Sequence, residues 1–225
     1  MSIKTNLDHI RERIAQAAAR AGRDPSGITL VAVSKTKPCE AIREAISAGA
    51  TILGENRVQE AETKIAELHD LPVAWHLIGH LQTNKANKAV HLFDLIHSVD
   101  SPRLVEAVNR GGESIGKRQA ILLQVNIAGE EQKFGTAPGE FERLLECALA
   151  APAVEVRGLM VMPPFGEDPE DARPYFRALR DLAVKYTGEL GNRPELSMGM
   201  TGDFEVAIEE GSTMVRIGTA IFGVR

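Results

Sequence analysis

The sequence Ile-Thr-Leu-Val-Ala-Val-Ser-Lys occupies residues 28–35 and is followed by Thr36, Lys37 and Pro38. The run before Lys35 is almost wholly apolar and rich in β-branched residues, which is typical of a strand buried on both faces of a parallel sheet. Pro38 disfavours continuation of the strand, and a helical pattern follows it. This stretch therefore predicts a buried strand that ends at a lysine and leads into a helix.

The same alternation continues along the chain. Eight short apolar runs predict strands, at about 28–34, 51–53, 74–78, 94–98, 120–127, 155–161, 195–198 and 214–217. Eight longer periodic stretches predict helices, at about 6–22, 38–49, 56–69, 82–91, 102–115, 138–150, 169–187 and 203–211. The first of these helices precedes the first strand.

Alternating strands and helices predict a parallel sheet, because each strand-helix-strand unit returns parallel to its start. Two architectures compete for this pattern: an open doubly wound sheet and a closed (β/α)8 barrel. Eight evenly spaced units without a long insertion favour the barrel. We therefore predict an α/β protein with a single TIM-barrel domain over residues 1–225 and an extra N-terminal helix.

The composition narrows the class of protein. The chain has 26 basic and 31 acidic side chains, and its net charge of −5 argues against a general nucleic-acid or membrane surface. It has neither an apolar run of about 18 residues nor a signal-peptide core. The two cysteines, Cys39 and Cys147, form neither a disulfide framework nor a metal cluster. We expect a soluble, cytoplasmic protein. The predicted exterior helices show no heptad seam long enough to argue for a dimer, so we expect a monomer.

The polar residues of a barrel enzyme or binding protein gather at the carboxyl ends of the strands. Lys35 ends the first strand, and glycines and hydroxyl residues follow the last two strands, at 197–201 and 216–219. Barrels commonly bind phosphate at the loops after strands seven and eight, where glycine lets backbone N–H groups approach the anion. The sequence therefore predicts a phosphate site there.

Lys35 and this phosphate site would meet in a closed barrel, because strands eight and one are then neighbours. A lysine at the rim is either solvated or held in a pocket, and only a pocket would make it a nucleophile for aldehydes. If it is held, the ligand would carry an aldehyde and a phosphate, as do pyridoxal 5′-phosphate and phosphorylated sugar aldehydes. Arg216 would then bind the phosphate or donate to the pyridine nitrogen of the cofactor.

The strand ends belong to an ordered series of motifs, found at residues 31–38, 54–56, 76–85, 157–160, 197–200 and 216–223. This series resembles the YggS/PROSC family of pyridoxal phosphate homeostasis proteins, and the resemblance runs from the first helix to Arg225. It implies a barrel similar to the N-terminal domain of alanine racemase. It also implies a set of residues around pyridoxal 5′-phosphate: Lys35 as the Schiff-base lysine, Asn56 lining the cofactor, Ser197, Gly218 and Thr219 on the phosphate, and Arg216 facing the pyridine nitrogen.

One departure from the family pattern affects this set. Thr201 and Gly202 stand where we expect a serine and a varied residue. Threonine keeps the hydroxyl group, so phosphate binding is still expected.

The resemblance implies a protein that holds pyridoxal 5′-phosphate and acts in its homeostasis, by buffering it or delivering it to apo-enzymes, without dedicated catalysis. The alternative is an amino-acid racemase with the same cofactor. Alanine racemases take a second base, a tyrosine, from an additional β domain. This chain stops at Arg225, and its tyrosines, Tyr175 and Tyr186, lie near the seventh predicted helix. A Schiff-base aldolase is a third, weaker possibility.

Four other residues invite functional hypotheses. His76 and His80 have the spacing of helical zinc ligands but lie on a strand and its loop, so a packed or mouth-lining role is expected. Cys39, near Lys35, is expected to be a small buried residue at a helix start. Lys37 is expected to point into solvent, whereas Lys133 belongs to a loop that could reach the barrel mouth.

Overall fold

The protein is described by a computed structural model that covers residues 2–130 and 132–223. Its eight strands are all parallel and close into a barrel whose strand order follows the chain, which confirms the barrel over the open sheet. The strands are β1 (Thr29–Val33), β2 (Ile52–Glu55), β3 (Ala74–Leu77), β4 (Leu95–Val99), β5 (Gln119–Gln124), β6 (Val154–Met160), β7 (Glu195–Met200) and β8 (Met214–Ile217).

The helices alternate with the strands, after one helix that precedes β1. Those in the described ranges are α1 (Ile3–Arg20), α2 (Cys39–Ser47), α3 (Val58–Glu67), α4 (Ala86–Leu92), α5 (Pro102–Ile115), α6 (Phe141–Leu149), α7 (Arg173–Lys185), α8 (Thr187–Leu190), α9 (Phe204–Glu209) and α10 (Thr219–Phe222). The apolar stripe of α1 is buried, and this helix packs on the side of the barrel against α2, α9 and α10.

The sequence placed several helix boundaries a few residues away from their positions. The helix α1 begins at Ile3 instead of at residue 6, because the Ser2 side chain accepts a hydrogen bond from the backbone N–H of Thr5 and caps the first turn. Three stretches expected to be α-helical start with a 3₁₀ turn, at Thr83–Lys85, Pro138–Glu140 and Pro169–Ala172. The short helices α8 and α10 were not predicted.

The pairing of β1 with β8 closes the barrel. Val31 lies opposite Arg216 in this pairing, and on the other side of β1 Val33 lies opposite Gly54 of β2. The residues that follow β1 and β8 therefore emerge at the same edge of the barrel. The expected meeting of Lys35 with the segment after β8 rests on this register.

Side chains cover the barrel wall in two layers, one outside it and one inside it. Most of the buried apolar residues lie between the strands and the helices, in one continuous cluster. The inner layer is smaller, with two apolar clusters that include Leu95, Leu122, Met160, Val31 and Ile78. Buried polar residues also lie on the barrel strands, among them Gln124, His76, His97, Ser197 and Arg216. These polar residues are unusual, because barrel interiors are normally filled by bulky apolar side chains.

None of the helices in the described ranges combines the length and the apolar character that crossing a membrane requires.

Candidate functional site

A cavity of about 1010 Å³ opens at the carboxyl ends of the strands. Five of the six predicted site residues line it: Lys35, Asn56, Arg216, Gly218 and Thr219. The sixth, Ser197, is fully buried and does not line the cavity. The structure thus brings the residues that follow β1 and β2 together with residues on and after β8 around one space.

Lys35 is held at this cavity by the geometry of β1. Val31 and Val33 belong to the inner apolar cluster, and side chains alternate along a strand, so the position of Lys35 continues the inward-facing row. The next residue, Thr36, has a φ of 64°, a left-handed conformation that is rare for a β-branched residue. Its N–H donates to Glu60 Oε1. Such local strain is typical of positions that the surrounding structure holds for function.

A buried polar network lies behind this segment, between the barrel wall and α3. Lys64 Nζ donates to Glu55 Oε1, to Glu60 Oε1 and to the carbonyl oxygen of Ser34, each at 2.7 Å. Ser34 Oγ donates to Glu55 Oε1 at 2.6 Å. Both neighbours of Lys35 in sequence, Ser34 and Thr36, are therefore tied to the same network, which fixes the backbone from which the lysine projects.

Burial raises the pKa of Glu55, while hydrogen bonds from Lys64 and Ser34 act in the opposite direction. The second carboxylate oxygen, Oε2, is buried without a hydrogen-bond partner among the described residues. The stability of this carboxylate thus depends on Lys64, a residue that the sequence analysis missed. In the sequence, Lys64 is one charge within an amphipathic helix, and only the fold shows that its side chain is buried.

The prediction that Lys37 points into solvent is wrong. Lys37 is half-buried, and its Nζ donates to the carbonyl oxygens of Phe222 at 3.2 Å and Gly223 at 3.0 Å. The loop after β1 is thereby attached to the segment that follows β8. The expectation was based on the neighbouring proline alone, and a contact with residues so distant in sequence becomes visible only in the folded barrel.

Arg216 lies in the barrel wall beneath the cavity and is almost completely buried. Its Nη1 donates to Ser197 Oγ at 2.6 Å, and its Nη2 donates to the carbonyl oxygen of Val161 at 3.0 Å. Burial lowers the pKa of Arg216 to about 10, and the charge of Asp203 opposes this shift. The guanidinium is therefore still a cation at neutral pH, although no carboxylate in the described ranges forms an ion pair with it.

The hydroxyl of Ser197 is occupied by other protein groups. Besides accepting from Arg216, it lies 2.8 Å from His97 Nδ1, and His97 Nε2 lies 3.0 Å from His76 Nδ1. Burial lowers the pKa of His76 to about 4 and that of His97 well below its usual value, so both rings are neutral near pH 7. Sequence reasoning missed His97. It lies two residues after Leu95 on the same strand, so both side chains are on the face of the strand that lines the barrel interior.

The hydroxyl groups at the rim come from a different pair of residues. Thr201 Oγ1 lies 3.3 Å from Thr219 Oγ1, and both residues line the cavity beside Gly218. The sequence included Thr201 in the hydroxyl-containing segment 197–201 and also marked it as a departure from the family pattern. The structure places it where a donor to an anion in this cavity would lie.

Asn56 lines the cavity at a point where the chain after β2 and the chain after β3 approach each other closely. A Cβ atom on Gly79 would lie 2.3 Å from the carbonyl oxygen of Asn56, which excludes any larger residue at position 79 without movement of the backbone. Ser98 Oγ donates to the carbonyl oxygen of Gly79 at 2.6 Å and holds this approach from the side of β4.

The opposite rim carries His80 and Lys133, which both line the cavity. The His80 ring stacks on Phe134 with a centroid distance of 3.7 Å, and its Nδ1 lies 3.9 Å from Asp100 Oδ2. Lys133 Nζ donates to Glu130 Oε1 at 3.1 Å. Of the two histidines considered in the sequence, His76 is packed in the interior and His80 lines the mouth. Across the described ranges, no group of three or more metal-ligating side chains is placed to hold an ion.

The remaining candidates lie away from the cavity. Cys39 is the first residue of α2, half-buried against the outer apolar layer, and burial raises the pKa of its thiol, which disfavours the reactive thiolate. Tyr186 is buried against Phe141 outside the barrel. Tyr175 lies on α7 and does not line the cavity.

The closed barrel, with an amine after β1 and a buried guanidinium on β8, defines a protein of the alanine racemase N-terminal-domain class. Residues 5–225 match the family model described as alanine racemase, N-terminal domain. The solved alanine racemase from Corynebacterium glutamicum shares the fold, with a TM-score of 0.72 at 18% identity over 97% of this chain and 62% of that one.

More similar relatives have a common name. The pyridoxal phosphate homeostasis protein of Aquifex aeolicus is 46% identical, with coverage of 100% of this chain and 99% of the relative. The protein of that name from Escherichia coli K12 is 42% identical, with 99% and 97% coverage. The structure of PipY from Synechococcus elongatus PCC7942 with pyridoxal phosphate bound has a TM-score of 0.82 at 42% identity, covering 93% of this chain and 100% of PipY. The chain belongs to the family of pyridoxal phosphate homeostasis proteins.

Proposed function

We propose that this protein binds pyridoxal 5′-phosphate at the barrel mouth and acts in its intracellular homeostasis, without dedicated catalysis. The observation that carries the proposal is the combination of Lys35 and Arg216 at one cavity, an amine and a buried cation on neighbouring strands. Full-length relatives named for this role, and the pyridoxal phosphate bound to PipY, support it. Buffering, delivery to apo-enzymes and a cytoplasmic location belong to the same proposal.

Lys35 is the residue that would hold the cofactor covalently, through its Nζ and the aldehyde carbon. When bound, pyridoxal 5′-phosphate supplies an aldehyde and a pyridine ring that can accept electrons. The network of Lys64, Glu55 and Glu60 keeps the backbone around Lys35 in one conformation, so the amine needs little reorganisation to react.

Arg216 would donate to the pyridine nitrogen. A guanidinium does not give up its proton near neutral pH, so this nitrogen would stay unprotonated and the ring would be a weak electron sink. This property disfavours reactions that need a strong electron sink. We prefer a carrier to a racemase because a racemase needs a second base, and neither Tyr175 nor Tyr186 lines the cavity.

The phosphate would lie at the rim formed by Gly218, Thr219 and Thr201, where glycine backbone and two hydroxyl groups face the cavity. Ser197, which the family resemblance assigned to the phosphate, lies below the cavity with its hydroxyl bonded to Arg216 and His97. We therefore assign Ser197 to the support of Arg216.

A visible spectrum tests the proposal. The purified protein, incubated with pyridoxal 5′-phosphate, is expected to turn yellow, and borohydride is expected to fix the cofactor to the peptide that contains Lys35. Lys35→Ala should abolish this label, whereas Lys133→Ala, which removes another amine from the same cavity, should keep it. A colourless wild-type protein would overturn the proposal, and an unchanged spectrum in Lys35→Ala would overturn the role of Lys35.

A further inference from the structure

A continuous hydrogen-bonded chain runs through the barrel interior from Arg216 to His76. It passes from Arg216 Nη1 to Ser197 Oγ at 2.6 Å, from Ser197 Oγ to His97 Nδ1 at 2.8 Å, and from His97 Nε2 to His76 Nδ1 at 3.0 Å. The four residues come from four strands, β8, β7, β4 and β3. All four are buried.

The donors in this chain must all point in the same direction. Arg216 can only donate, so Ser197 Oγ accepts from it. The hydroxyl proton of Ser197 then needs an acceptor, and His97 Nδ1 is the one that the described contacts provide. His97 therefore carries its proton on Nε2 and donates it to Nδ1 of His76. The reverse polarity would leave the buried Ser197 proton without a partner.

A packing role alone does not account for this chain. Buried polar groups cost free energy even when they are bonded, and apolar residues of similar volume fill most barrel interiors. What the chain does supply is direction, because each bond sets the proton position of the next group. Arg216, at one end of the chain of hydrogen bonds, is the only one of the four that lines the cavity.

We propose that His97, backed by His76, is a positioning residue that acts through Ser197 to hold the Arg216 guanidinium in the orientation that meets the pyridine nitrogen. This inference rests on the proposed function, since it concerns the ligand of the same cavity. With its proton drawn to His97, Ser197 presents a lone pair to Nη1, while the Val161 carbonyl holds Nη2. The guanidinium is then fixed at two points, and its remaining N–H groups are available to a ligand.

The first test needs no cofactor. Long-range ¹H–¹⁵N correlation spectra of the histidine rings are expected to show His97 with its proton on Nε2. In Ser197→Ala the hydroxyl is lost, and the His97 signals should move. A proton on Nδ1 of His97 in the wild-type protein would overturn the polarity and with it the proposal.

The second test follows the pyridine nitrogen of ¹⁵N-labelled pyridoxal 5′-phosphate. His97→Leu and Ser197→Ala are each expected to move this resonance towards that of an unbonded pyridine and to weaken cofactor retention by about tenfold. The double variant should resemble the single variants, because both residues act through one bond. His97→Asn, unlike His97→Leu, has a side-chain oxygen that can replace Nδ1 as the acceptor, so its pyridine resonance should stay at the wild-type position.

Leu95→Ala is the matched control, because Leu95 lies two residues before His97 and is buried in the same interior. It should lower stability without moving the pyridine resonance. If His97→Leu does not fold, Ser197→Ala and His97→Asn carry the test. An unchanged resonance in Ser197→Ala would overturn this inference alone, whereas a wild-type protein that does not bind the cofactor would overturn the proposed function as well.

Discussion

The residues behind Lys35 and the residues around Arg216 are held in different ways, although β1 and β8 are neighbouring strands. Behind Lys35, outside the barrel wall, a buried network neutralises charge with charge: the Lys64 ammonium is shared by the carboxylates of Glu55 and Glu60. Around Arg216, within the barrel, every direct partner is neutral, a hydroxyl and a carbonyl oxygen. In the first network one ammonium faces two carboxylates, whereas in the second the guanidinium has no carboxylate in direct contact among the described residues.

The difference bears on the roles proposed for the two regions. The Lys64 ammonium donates to Ser34, Glu55 and Glu60, and these contacts position the segment around Lys35. Arg216 keeps unbalanced charge at the floor of the cavity, where a phosphorylated ligand would lower its energy. Their pH responses should also differ in sign, because burial raises the pKa of Glu55 in one network and lowers the pKa of the histidines in the other.

The largest effect is expected from Lys64→Met, which leaves Glu55 buried without its counter-charge. We expect a loss of about 3–5 kcal/mol in the free energy of unfolding, measured by chemical denaturation. The control is Lys88→Met, which breaks the exposed pair of Lys88 with Glu62 and should cost less than about 1 kcal/mol. Equal losses in the two variants would show that the outer network contributes no more than a surface ion pair.

The inner network is expected to weaken in acid. A neutral buried histidine stabilises the fold above its unfolded pKa of 6.5, and this contribution disappears as the pH falls through its folded pKa, about 4 for His76. His76→Asn removes this titration while its side-chain oxygen still accepts from His97. Between about pH 7 and pH 4, the wild-type protein should lose about 3 kcal/mol more stability than the variant.

Denaturant midpoints at several pH values provide the measurement. Glu55 should act in the opposite sense, since an acid with a raised pKa destabilises the fold as the pH rises through that raised value. Parallel pH profiles for the wild-type protein and His76→Asn would contradict the assignment of this acid sensitivity to the interior.

A substitution at the cavity rim should weaken cofactor binding without disturbing the buried network of the barrel interior. Thr201→Val removes one hydroxyl beside Thr219 and is expected to weaken the binding of pyridoxal 5′-phosphate by about tenfold. Equilibrium dialysis gives the dissociation constant. Pyridoxal, which lacks the phosphate, is the internal control and should bind equally to both proteins; an equal loss for pyridoxal would remove Thr201 from the phosphate site.

The smallest effect is expected at Thr36, beside the outer network. Thr36→Gly relieves the left-handed strain, worth about 1–2 kcal/mol, but glycine adds flexibility to the unfolded chain. We expect the free energy of unfolding to change by less than about 1 kcal/mol. Thr36→Ala keeps the unfavourable φ and is the control, and it should be no more stable than Thr36→Gly.

The fold was predictable because eight apolar runs alternate with eight amphipathic stretches, a pattern that depends only on local sequence. The lysine at the end of β1 and the glycine and hydroxyl residues after β8 also follow from that pattern, since strand ends mark the mouth of a barrel. Their contacts with a cofactor stay a prediction. The helix starts were less predictable, because 3₁₀ turns and side-chain caps shift them by a few residues.

Depth within the barrel was not predictable. Ser197 and Thr201 both carry hydroxyl groups near the end of β7, and the sequence does not say which lies at the rim and which is buried. The roles of His97 and Lys64 depend on partners from other strands and helices, Ser197 for the first and Glu55 for the second. Such pairings form only when the barrel closes.

The attachment of Lys37 to Phe222 and Gly223 has a consequence for how the protein folds. It joins residues 185 and 186 positions apart, and Asn6 Nδ2 adds a bond of 2.8 Å to the carbonyl oxygen of Ile221, 215 positions away. Contacts of such large sequence separation form late and slow the folding rate. During synthesis, the seam between β1 and β8 cannot form until β8 has left the ribosome. The nascent chain therefore has no competent cofactor cavity before that point.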